Sequence, residues 1–224
     1  MRINADFNER VVVYPADVDW QPSPIAGVNR KMLDRIGEEK ARATSIVKYD
    51  PGSHFSEHVH DGGEEILVLK GVFSDESGDY PAGSYVRNPI GSIHKPYSDN
   101  GAVIFVKLHQ FAEDDLARVC IDTNKAQFAP GLVEGLSVLP LHTHFGENVA
   151  LVKWEPNTTF KRHAHFGGEE ILVLEGIFRD EHGEYPEGTW LRNPHGSSHL
   201  PFTLNEGALI YVKTGHLHPA LENV

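Results

Sequence analysis

Short runs of apolar, β-branched and aromatic residues alternate with turn-forming residues along the whole chain. Glycine, proline, aspartate and asparagine mark the turns, and these residues favour chain reversals. Short strands at such regular spacing predict an all-β fold, a barrel or jelly roll, rather than an α/β sheet. A short helical period of apolar positions is confined to Lys31–Ile36. In the first half of the chain, the predicted strands are Val11–Tyr14, Thr44–Tyr49, Ile66–Leu69, Ser84–Val86 and Val103–Leu108.

The same pattern of residues occurs twice. A shift of 105 residues aligns Pro51–Asn100 with Pro156–Asn205, and 28 of the 50 aligned positions are identical. Upstream, at an offset of 108 residues, the segment that starts at Arg10 aligns with the segment that starts at Arg118. Internal identity of this kind indicates a duplication, and therefore two copies of one structural unit.

The two copies set the predicted domain boundaries. The polar stretch Ala112–Ala117 lies between them and is the predicted junction. We therefore predict a first domain at residues 1–115 and a second domain at residues 116–224. Each has about 100 residues, a size at which a barrel can bury its own core.

The composition narrows the class of protein. The 224 residues include 40% hydrophobic residues, 21 glycines and 14 prolines, which is typical of a turn-rich globular protein. A net charge of −12 makes nucleic acid an unexpected partner. The sequence shows no signal peptide and no membrane-spanning run, so we expect no membrane association and a cytoplasmic location. The single cysteine, Cys120, excludes an internal disulfide framework, and its apolar strand position predicts burial.

Histidine is the unusual residue, with 14 copies. His58 and His60 lie two residues apart on a predicted strand and so share one face. Gly62-Gly63 allows a tight turn that brings Glu64 back toward them, and His94 arrives from a separate hairpin. Burial of these four ionisable groups would be costly without an ion, so they predict a metal site. The second unit repeats the set at the same spacing, with His163, His165, Glu169 and His199.

The ligand types limit the metal. Neutral imidazoles with one carboxylate suit zinc, iron, manganese, nickel or copper better than calcium or magnesium. A zinc ion with four protein ligands is closed and structural, whereas an octahedral iron or manganese ion keeps two positions for substrate or dioxygen. The sequence therefore predicts the ligands but leaves the metal and its geometry open.

The spacing of these residues is that of the two cupin motifs, and both halves resemble cupins from end to end. The run GGEEILVLxGxFxDExGxYPxGxxxRNPxGSxHxP occurs in both units. It resembles the cupin domain of ChrR-type anti-sigma factors, zinc regulators that hold a sigma factor inactive. The resemblance implies two tandem cupin (jelly-roll) barrels with zinc as the expected metal. The residues to which it assigns metal coordination are His58, His60, Glu64, His94, His163, His165, Glu169 and His199.

The resemblance implies a function, with one departure. ChrR-type regulators carry a helical zinc-binding anti-sigma domain ahead of the cupin, whereas this chain starts its first predicted barrel near Arg10 and has one cysteine. A sigma factor is therefore a weaker expectation as a partner. The leading hypothesis is a sensory or regulatory protein that binds a small molecule or responds to oxidative stress. The alternative is a mononuclear iron or manganese dioxygenase, or an isomerase, with a small organic substrate. Monomer and homodimer are both open.

Several further polar residues have predicted roles. Glu65 and Glu170 follow the proposed ligands in sequence and are expected to form structural salt bridges with Arg87 and Arg192. His142 and His144 form another His-x-His, which we expect on a solvated loop because no third ligand accompanies it. His195 occupies the variable place in the Pro-x-Gly turn, where it could modulate the second site. The remaining pair, His216 and His218, is expected at the surface.

Overall fold

The computed structural model describes residues 1–217, and within them every regular element is a β-strand. Neighbouring strands in its sheets are antiparallel. In this part of the chain there is no helix of the length and apolar character needed to cross a membrane. The predicted all-β fold class is therefore confirmed.

The strands are mostly short, and two of them, one in each half, are twelve residues long. The strands of the first half are β1 (Arg2–Ile3), β2 (Val11–Val13), β3 (Gln21–Pro22), β4 (Val28–Gly37), β5 (Ala41–Tyr49), β6 (Ser53–His54), β7 (His58–Val59), β8 (Glu64–Asp75), β9 (Gly78–Pro81), β10 (Ser84–Asn88), β11 (Ile93–His94), β12 (Tyr97–Ser98) and β13 (Ala102–Leu108). The strands that follow are β14 (Val119–Asp122), β15 (Ala129–Pro130), β16 (Leu136–His144), β17 (Glu147–Trp154), β18 (His163–Ala164), β19 (Glu169–Asp180), β20 (Gly183–Pro186), β21 (Trp190–Asn193), β22 (Ser198–His199) and β23 (Ala208–Thr214).

The stretch with a short helical period is part of a strand. Lys31–Ile36 lies within β4, so the suggestion of a helix there was wrong. The pairing of β4 with β5 is irregular between Met32 and Asp34. A β-bulge adds a residue to one strand and interrupts the two-residue alternation of side chains. The apolar pattern of β4 therefore departs from strict alternation although its backbone is extended.

The first compact unit comprises Met1–Ala5 and Val18–Ala126. Its main sheet has the strand order β1-β4-β5-β13-β8-β10-β14, and β7 pairs with β11 in a separate ladder. The long strand β8 pairs with β10 and β13 along its first part and with β9 along its last part. Because β8 takes part in both pairings, it joins the two sides of a jelly-roll barrel.

Within the described residues, the second compact unit comprises Asp6–Asp17 and residues 127–217. Its main sheet has the order β15-β16-β17-β23-β19-β21-β2, and β18 pairs with β22. The edge strand β2 comes from the N-terminal segment and lies beside β21. In the first unit the same edge position is filled by β14, which follows the rest of that unit in sequence. Each barrel therefore receives its edge strand from the first segment of the other repeat.

The edge position of β14 determines the environment of Cys120. Cys120 pairs with Val86 of β10, and no further strand follows β14 in the sheet among the described residues. Its side chain is exposed, so the prediction of a buried cysteine was wrong. An apolar strand position indicates burial only where both faces of the strand are covered.

Each unit encloses its own apolar core, and burial of this surface provides the main favourable term in folding. In both units the core lies between the central strands of the sheet and the hairpins that cover them. The buried residues of the first core are Val28, Tyr49, Ile66, Val68, Phe73, Tyr80, Val86, Ala102, Ile104 and Val106. The buried residues of the second core are Leu136, Trp154, Ile171, Val173, Phe178, Tyr185, Leu191, Ala208 and Ile210.

Candidate metal centres

The first polar cluster is assembled by the ladder of β7 and β11. His58 and His94 lie opposite each other in this ladder. His60 follows β7, and its backbone N–H donates to the carbonyl oxygen of Ser92 over 2.9 Å, which fixes the segment against the β11 hairpin. Glu64 is the first residue of β8. The structure thus brings together the four residues that the sequence singled out in the first unit.

The turn that leads into Glu64 requires a glycine. Gly63 has a φ of +77°, and Gly168 at the same place in the second unit has a φ of +73°. A residue with a Cβ atom is strained in this region of the backbone map. A Cβ atom on Gly63 would also collide with the ring of Phe111. The glycine therefore allows the chain to reverse and to direct Glu64 toward the histidines.

The donor atoms of the first cluster converge on one point. Nε2 of His60 lies 3.1 Å from Nε2 of His94 and 3.2 Å from Oε2 of Glu64. The same carboxylate oxygen lies 3.5 Å from Nε2 of His94. One donor atom of each residue, that of His58 included, lies within 4.8 Å of all the others. Donors that surround one ion at bonds of about 2.0–2.2 Å have this separation.

The outer nitrogen of each histidine in the first cluster has an acceptor, and this determines the direction of its lone pair. Each Nδ1 atom carries the proton and donates it outward, so Nε2 presents a lone pair to the centre. The hydroxyl of Ser92 is a clear acceptor, because its own proton goes to the carbonyl oxygen of Pro89 over 2.6 Å. The acceptors are the carbonyl oxygen of Ser56 for His58 (3.0 Å), the hydroxyl of Ser92 for His60 (2.9 Å) and the carboxylate of Asp75 for His94 (3.2 Å).

The second cluster has the same construction. Glu169 Oε2 lies 3.5 Å from Nε2 of His165 and 3.6 Å from Nε2 of His199. His163 faces His199 across the β18–β22 ladder, and the donor atoms of all four residues lie within 4.8 Å of one another. Nδ1 of His199 is 3.3 Å from a carboxylate oxygen of Asp180. The four residues predicted for the second unit are therefore also brought together.

Both clusters fit a divalent cation. Three nitrogen lone pairs and a carboxylate face each other in the first cluster, so it contains acceptors without a donor between them. In the second cluster, Nε2 of His165 and Nε2 of His199 are buried and have no hydrogen-bond partner in the described chain. Buried polar atoms without partners are rare and costly. A cation bound by these atoms removes that cost, and each cluster could therefore hold a metal ion.

Burial and hydrogen bonds set the charge state of the clusters. Burial alone raises the pKa of Glu64, but its close contacts with His60 and His94 and the hydrogen bond from Asn88 outweigh burial and lower the pKa to about 2. Burial lowers the pKa of His94, of His163 and of His165. In the second cluster, burial lowers the pKa of His199 but the hydrogen bond of Asp180 outweighs it and raises that pKa. In the first cluster the environment favours a carboxylate anion beside a neutral His94. These are the forms that bind a metal ion.

Two further pairs of residues support the clusters. Asn88 donates to Oε2 of Glu64 over 3.1 Å, and Asn193 donates to Oε2 of Glu169 over 2.9 Å. Asp75 and Asp180, which accept from the histidines, are also at equivalent places. The sequence reasoning missed these four residues. Their identity between the two repeats at an offset of 105 residues was the signal that could have found them.

A cavity of about 440 Å³ in the first unit opens onto the cluster. Its wall includes His58, His60 and Glu64. Sites for small molecules typically have volumes of about 300–1,000 Å³ and mostly apolar walls. The apolar part of the wall comes from residues on the inner face of the barrel, namely Ile25, Val28, Val47, Tyr49, Phe55, Ile104, Val106 and Leu108.

The glutamate beside the first cluster is structural, as predicted. Glu65 accepts from Nη1 of Arg87 over 2.8 Å, and the arginine is fully buried. Nη2 of Arg87 donates to Asp115, which belongs to the polar stretch between the repeats. The guanidinium also lies 3.8 Å from the centroid of the Phe111 ring. The salt bridge of Glu65 is therefore confirmed and extends to a second carboxylate.

The corresponding glutamate in the second unit has two further polar contacts. Glu170 lies opposite Arg192 in the pairing of β19 with β21, as Glu65 lies opposite Arg87. It also accepts from Nε1 of Trp190 over 2.7 Å and contacts Nε2 of His216 at 3.0 Å. The side chain of His216 is 3% exposed, so the prediction of a surface residue was wrong. His218, the other histidine of that pair, lies outside the described residues.

The other three histidines with predicted roles, His142, His144 and His195, belong to the second unit. His142 and His144 are half-buried on strand β16, so their assignment to a loop was wrong. β16 pairs with β17 as far as His144, after a break in register between Pro140 and His142. His195 accepts a hydrogen bond from the backbone N–H of Gly167 over 2.9 Å. It thus supports the turn that leads into Glu169.

Fold and clusters together define a double cupin, in which each barrel carries three histidines and one glutamate. The sequence pattern of the ChrR cupin-like domain family matches the chain over residues 8–112 and again over residues 116–218. These two matches span nearly all of the chain, which therefore belongs to this family. Comparison with curated proteins gave no significant match.

Solved structures share the fold at low sequence identity. A "putative dioxygenase" from Nostoc punctiforme superposes with a TM-score of 0.78 at 16% identity, over 94% of this chain and 84% of that chain. The pirin YhhW from Escherichia coli in complex with nickel(II) gives 0.68 at 10%, over 92% and 99%. A mutant oxalate decarboxylase of Bacillus subtilis gives 0.64 at 13%, over 92% and 77%. At these identities the likeness establishes the cupin fold.

Proposed function

We propose that the protein binds a small organic molecule at a metal ion in the first unit and acts as a sensory or regulatory double cupin. The proposed metal is zinc, held by His58, His60, Glu64 and His94. A second ion is proposed at the equivalent residues of the second unit. The observation that carries the proposal is the cavity beside the first cluster, because a molecule that enters it lies next to the metal ligands. Membership of the ChrR cupin-like family supports the regulatory part.

The protein residues have distinct roles in this proposal. In the first cluster, the acceptors at the outer nitrogens hold each imidazole ring with Nε2 toward the centre. Burial lowers the pKa of His94 and so favours its neutral form. Asn88 holds Glu64, whose lowered pKa keeps it ionised at every pH at which the histidines bind metal. The apolar wall of the cavity excludes water from the bound molecule. A bound metal ion supplies a positive charge and a Lewis acid beside that molecule.

Metal analysis tests the first part of the proposal. Protein purified without chelator is expected to contain about two equivalents of a divalent metal, mainly zinc. Small-molecule binding is then measured by calorimetry on the metal-loaded protein. A metal-free protein that cannot be loaded with any divalent ion would exclude the metal-based function. The regulatory part is tested by a pull-down of extracytoplasmic-function sigma factors, and failure to retain any of them excludes a direct anti-sigma role.

A second candidate function is a mononuclear iron or manganese dioxygenase, or an isomerase. The observation that favours it is again the cavity, since a closed structural zinc site has no need of a chamber beside it. Four protein ligands leave two positions on an octahedral ion. Oxygen consumption after reconstitution with Fe(II), with diketones and aromatic compounds as substrates, distinguishes the two functions. Stoichiometric zinc without turnover on these compounds would exclude the dioxygenase.

A further inference from the structure

Positive charge is concentrated on one side of the cavity in the first unit. Arg30 and Arg35, both on β4, belong to its wall. Arg35 is 4% exposed, and Arg30 has a side chain that is 17% exposed. One buried and one half-buried guanidinium group in a small-molecule cavity are unusual, because burial of an arginine is costly without an anion that compensates its charge.

The two arginines differ in how far their charge is compensated. Arg30 forms a double hydrogen bond with the carboxylate of Glu39, at 3.1 and 3.0 Å. Arg35 instead donates to the backbone carbonyl oxygens of Glu38 and Glu39. Within residues 1–217, no carboxylate lies within ion-pair distance of Arg35. Nε of Arg30 is also buried without a hydrogen-bond partner there. The cavity therefore contains one guanidinium without a direct ion pair and one Nε donor without a partner.

The other charged residues of the wall do not supply the missing anion. Lys40 forms an ion pair with Asp61 over 2.6 Å, and both side chains are at least half exposed. Glu64 belongs to the metal cluster. The side chain of Glu39 is 63% exposed, so its carboxylate binds Arg30 from the solvent side of the cavity. The three cations of the wall, Arg30, Arg35 and Lys40, equal its three anions in number. Two of these anions are at least half exposed and the third belongs to the cluster, so the charge of Arg35 has no anion paired with it inside the cavity.

Strand register relates Arg35 to the metal cluster. Arg35 pairs with Ala43, Ala43 with Leu108, and Leu108 with Glu64, across the four adjacent strands β4, β5, β13 and β8. Directly paired residues of antiparallel strands point to the same face, so Arg35 and Glu64 both point into the barrel. Three strand spacings separate their backbones by roughly 14 Å along the sheet. A small elongated molecule can therefore reach from the cluster toward Arg35.

The second unit has no arginine at the positions equivalent to Arg30 and Arg35. The equivalent row runs from Thr143 through Asn148 and Thr214 to Glu169. Thr143 stands where the first unit has Arg35, and Val138 stands where it has Arg30. The hairpin from β4 to β5, which supplies Glu38, Glu39 and Lys40, is also three residues longer than its counterpart. The cationic wall is therefore a property of the first barrel.

We infer that the first barrel binds small organic carboxylates, with the carboxylate group on Arg35 and Arg30 and the rest of the molecule directed along the apolar wall toward the metal cluster. This inference rests on the proposed function and names the class of its ligand. Glu39 competes with the ligand for Arg30, because its carboxylate accepts hydrogen bonds from both Nη atoms of Arg30 when no ligand is bound. The second barrel, with Thr143 and Val138, has no such preference.

The probe for this inference is 4-fluorobenzoate, with the neutral 4-fluorobenzamide as its matched control. Binding of both to zinc-loaded protein is measured by fluorine NMR. We expect the carboxylate to bind at least about tenfold more tightly than the amide, since hydrogen bonds to charged groups contribute on this scale. Equal affinities, or no binding of 4-fluorobenzoate at millimolar concentration, would overturn the inference.

Variants test whether the carboxylate of the ligand binds to the arginines or to the metal ion. Arg35→Gln is expected to weaken the binding of 4-fluorobenzoate about tenfold or more and to leave the binding of the amide unchanged. Glu39→Gln, at an exposed position that tolerates substitution, is expected to strengthen carboxylate binding several-fold because it releases Arg30. Glu113→Gln, which makes the same charge change on an exposed residue outside the cavity, is the control. Full affinity in Arg35→Gln, with no gain in Glu39→Gln, contradicts the inference.

Metal content, measured on every sample, distinguishes a failure of the carboxylate site from a failure of the metal-based function. Protein that holds its metal but does not distinguish carboxylate from amide rejects the carboxylate site and leaves the metal-based function intact. Protein that binds no metal but still prefers the carboxylate rejects the metal-based function and retains the arginine site.

Discussion

Arg10 donates a hydrogen bond from Nε to the side-chain oxygen of Asn193 over 3.0 Å, although 183 residues separate the two in sequence. The same guanidinium reaches Asp180 at 3.5 Å and the hydroxyl of Tyr185 at 2.5 Å. Asn193 holds Glu169, and Asp180 accepts from His199. Arg10 therefore positions two residues that in turn contact Glu169 and His199 of the second cluster.

This relationship predicts that Arg10→Gln weakens metal binding in the second unit. Removal of an outer partner of a metal ligand typically costs about ten- to a hundredfold in metal affinity. The measurement is a chelator competition on a His60→Ala background, in which only the second site binds. Arg118→Gln is the matched control, because Arg118 occupies the same repeat position but donates to the exposed Ser77. An equal loss in both variants would argue against a positioning role.

The two clusters are expected to bind metal independently. His60→Ala removes one imidazole from the first cluster and should lower the metal content by about one ion per chain, while His165→Ala removes the other ion. The double variant should contain almost no metal. Elemental analysis of protein purified without chelator provides the measurement. If either single variant keeps the full metal content, the residue it changes is not a ligand.

Acid is expected to release the metal from the second site first. Burial lowers the pKa of His94, so a proton competes weakly for it. Burial also acts to lower the pKa of His199, but the hydrogen bond of Asp180 and the charge of Glu169 raise it above its ordinary value. As the pH falls, protons therefore reach His199 before His94. Metal must give way to a proton on the same nitrogen.

The single-site variants make this order measurable. His60→Ala reports on the second site and His165→Ala on the first, after dialysis at a series of pH values and elemental analysis. Release from the second site should be half complete at a higher pH than release from the first. Coincident or reversed release curves would show that the difference between Asp75 and Asp180 as partners does not govern metal retention.

The buried charge network at Arg87 is expected to be important for stability. Arg87→Met leaves two buried carboxylates, Glu65 and Asp115, without their cation. Loss of one partner of a buried ion pair typically costs about 3–5 kcal/mol of the free energy of unfolding. Urea denaturation of metal-free protein measures the change, and Arg118→Met, at an exposed position, should cost well under 1 kcal/mol. A loss of that smaller size in Arg87→Met would show that the network is not coupled to folding.

The parts of the site that the sequence predicts are those that repeat. The eight cluster residues recur at one spacing, and strand alternation is sufficient to place His58 and His60 on one face. The partnership of Glu65 with Arg87 also followed from the sequence, because the two strands that carry them pair directly. Local pattern and duplication together were therefore enough to single out the residues that converge in each cluster.

The parts that escaped prediction depend on long-range or irregular geometry. Arg10 reaches the second cluster only because β2 lies beside β21, which no local pattern indicates. Arg35 faces the cavity because the bulge between Met32 and Asp34 shifts the alternation by one residue. Strict alternation from Val28 would have pointed Asp34 inward instead, with the opposite charge.

The position of β2 in the second unit also affects the order in which the two barrels can fold during synthesis. During synthesis β2 leaves the ribosome early, but its partner β21 follows some 180 residues later. The first barrel can close once β14 has emerged, whereas the second must wait until nearly the whole polypeptide is available. A gene fragment cut between the repeats would produce a second barrel without its edge strand and without Arg10. A circular permutant that begins after β14 and places residues 6–17 behind the second barrel would keep that barrel's parts together.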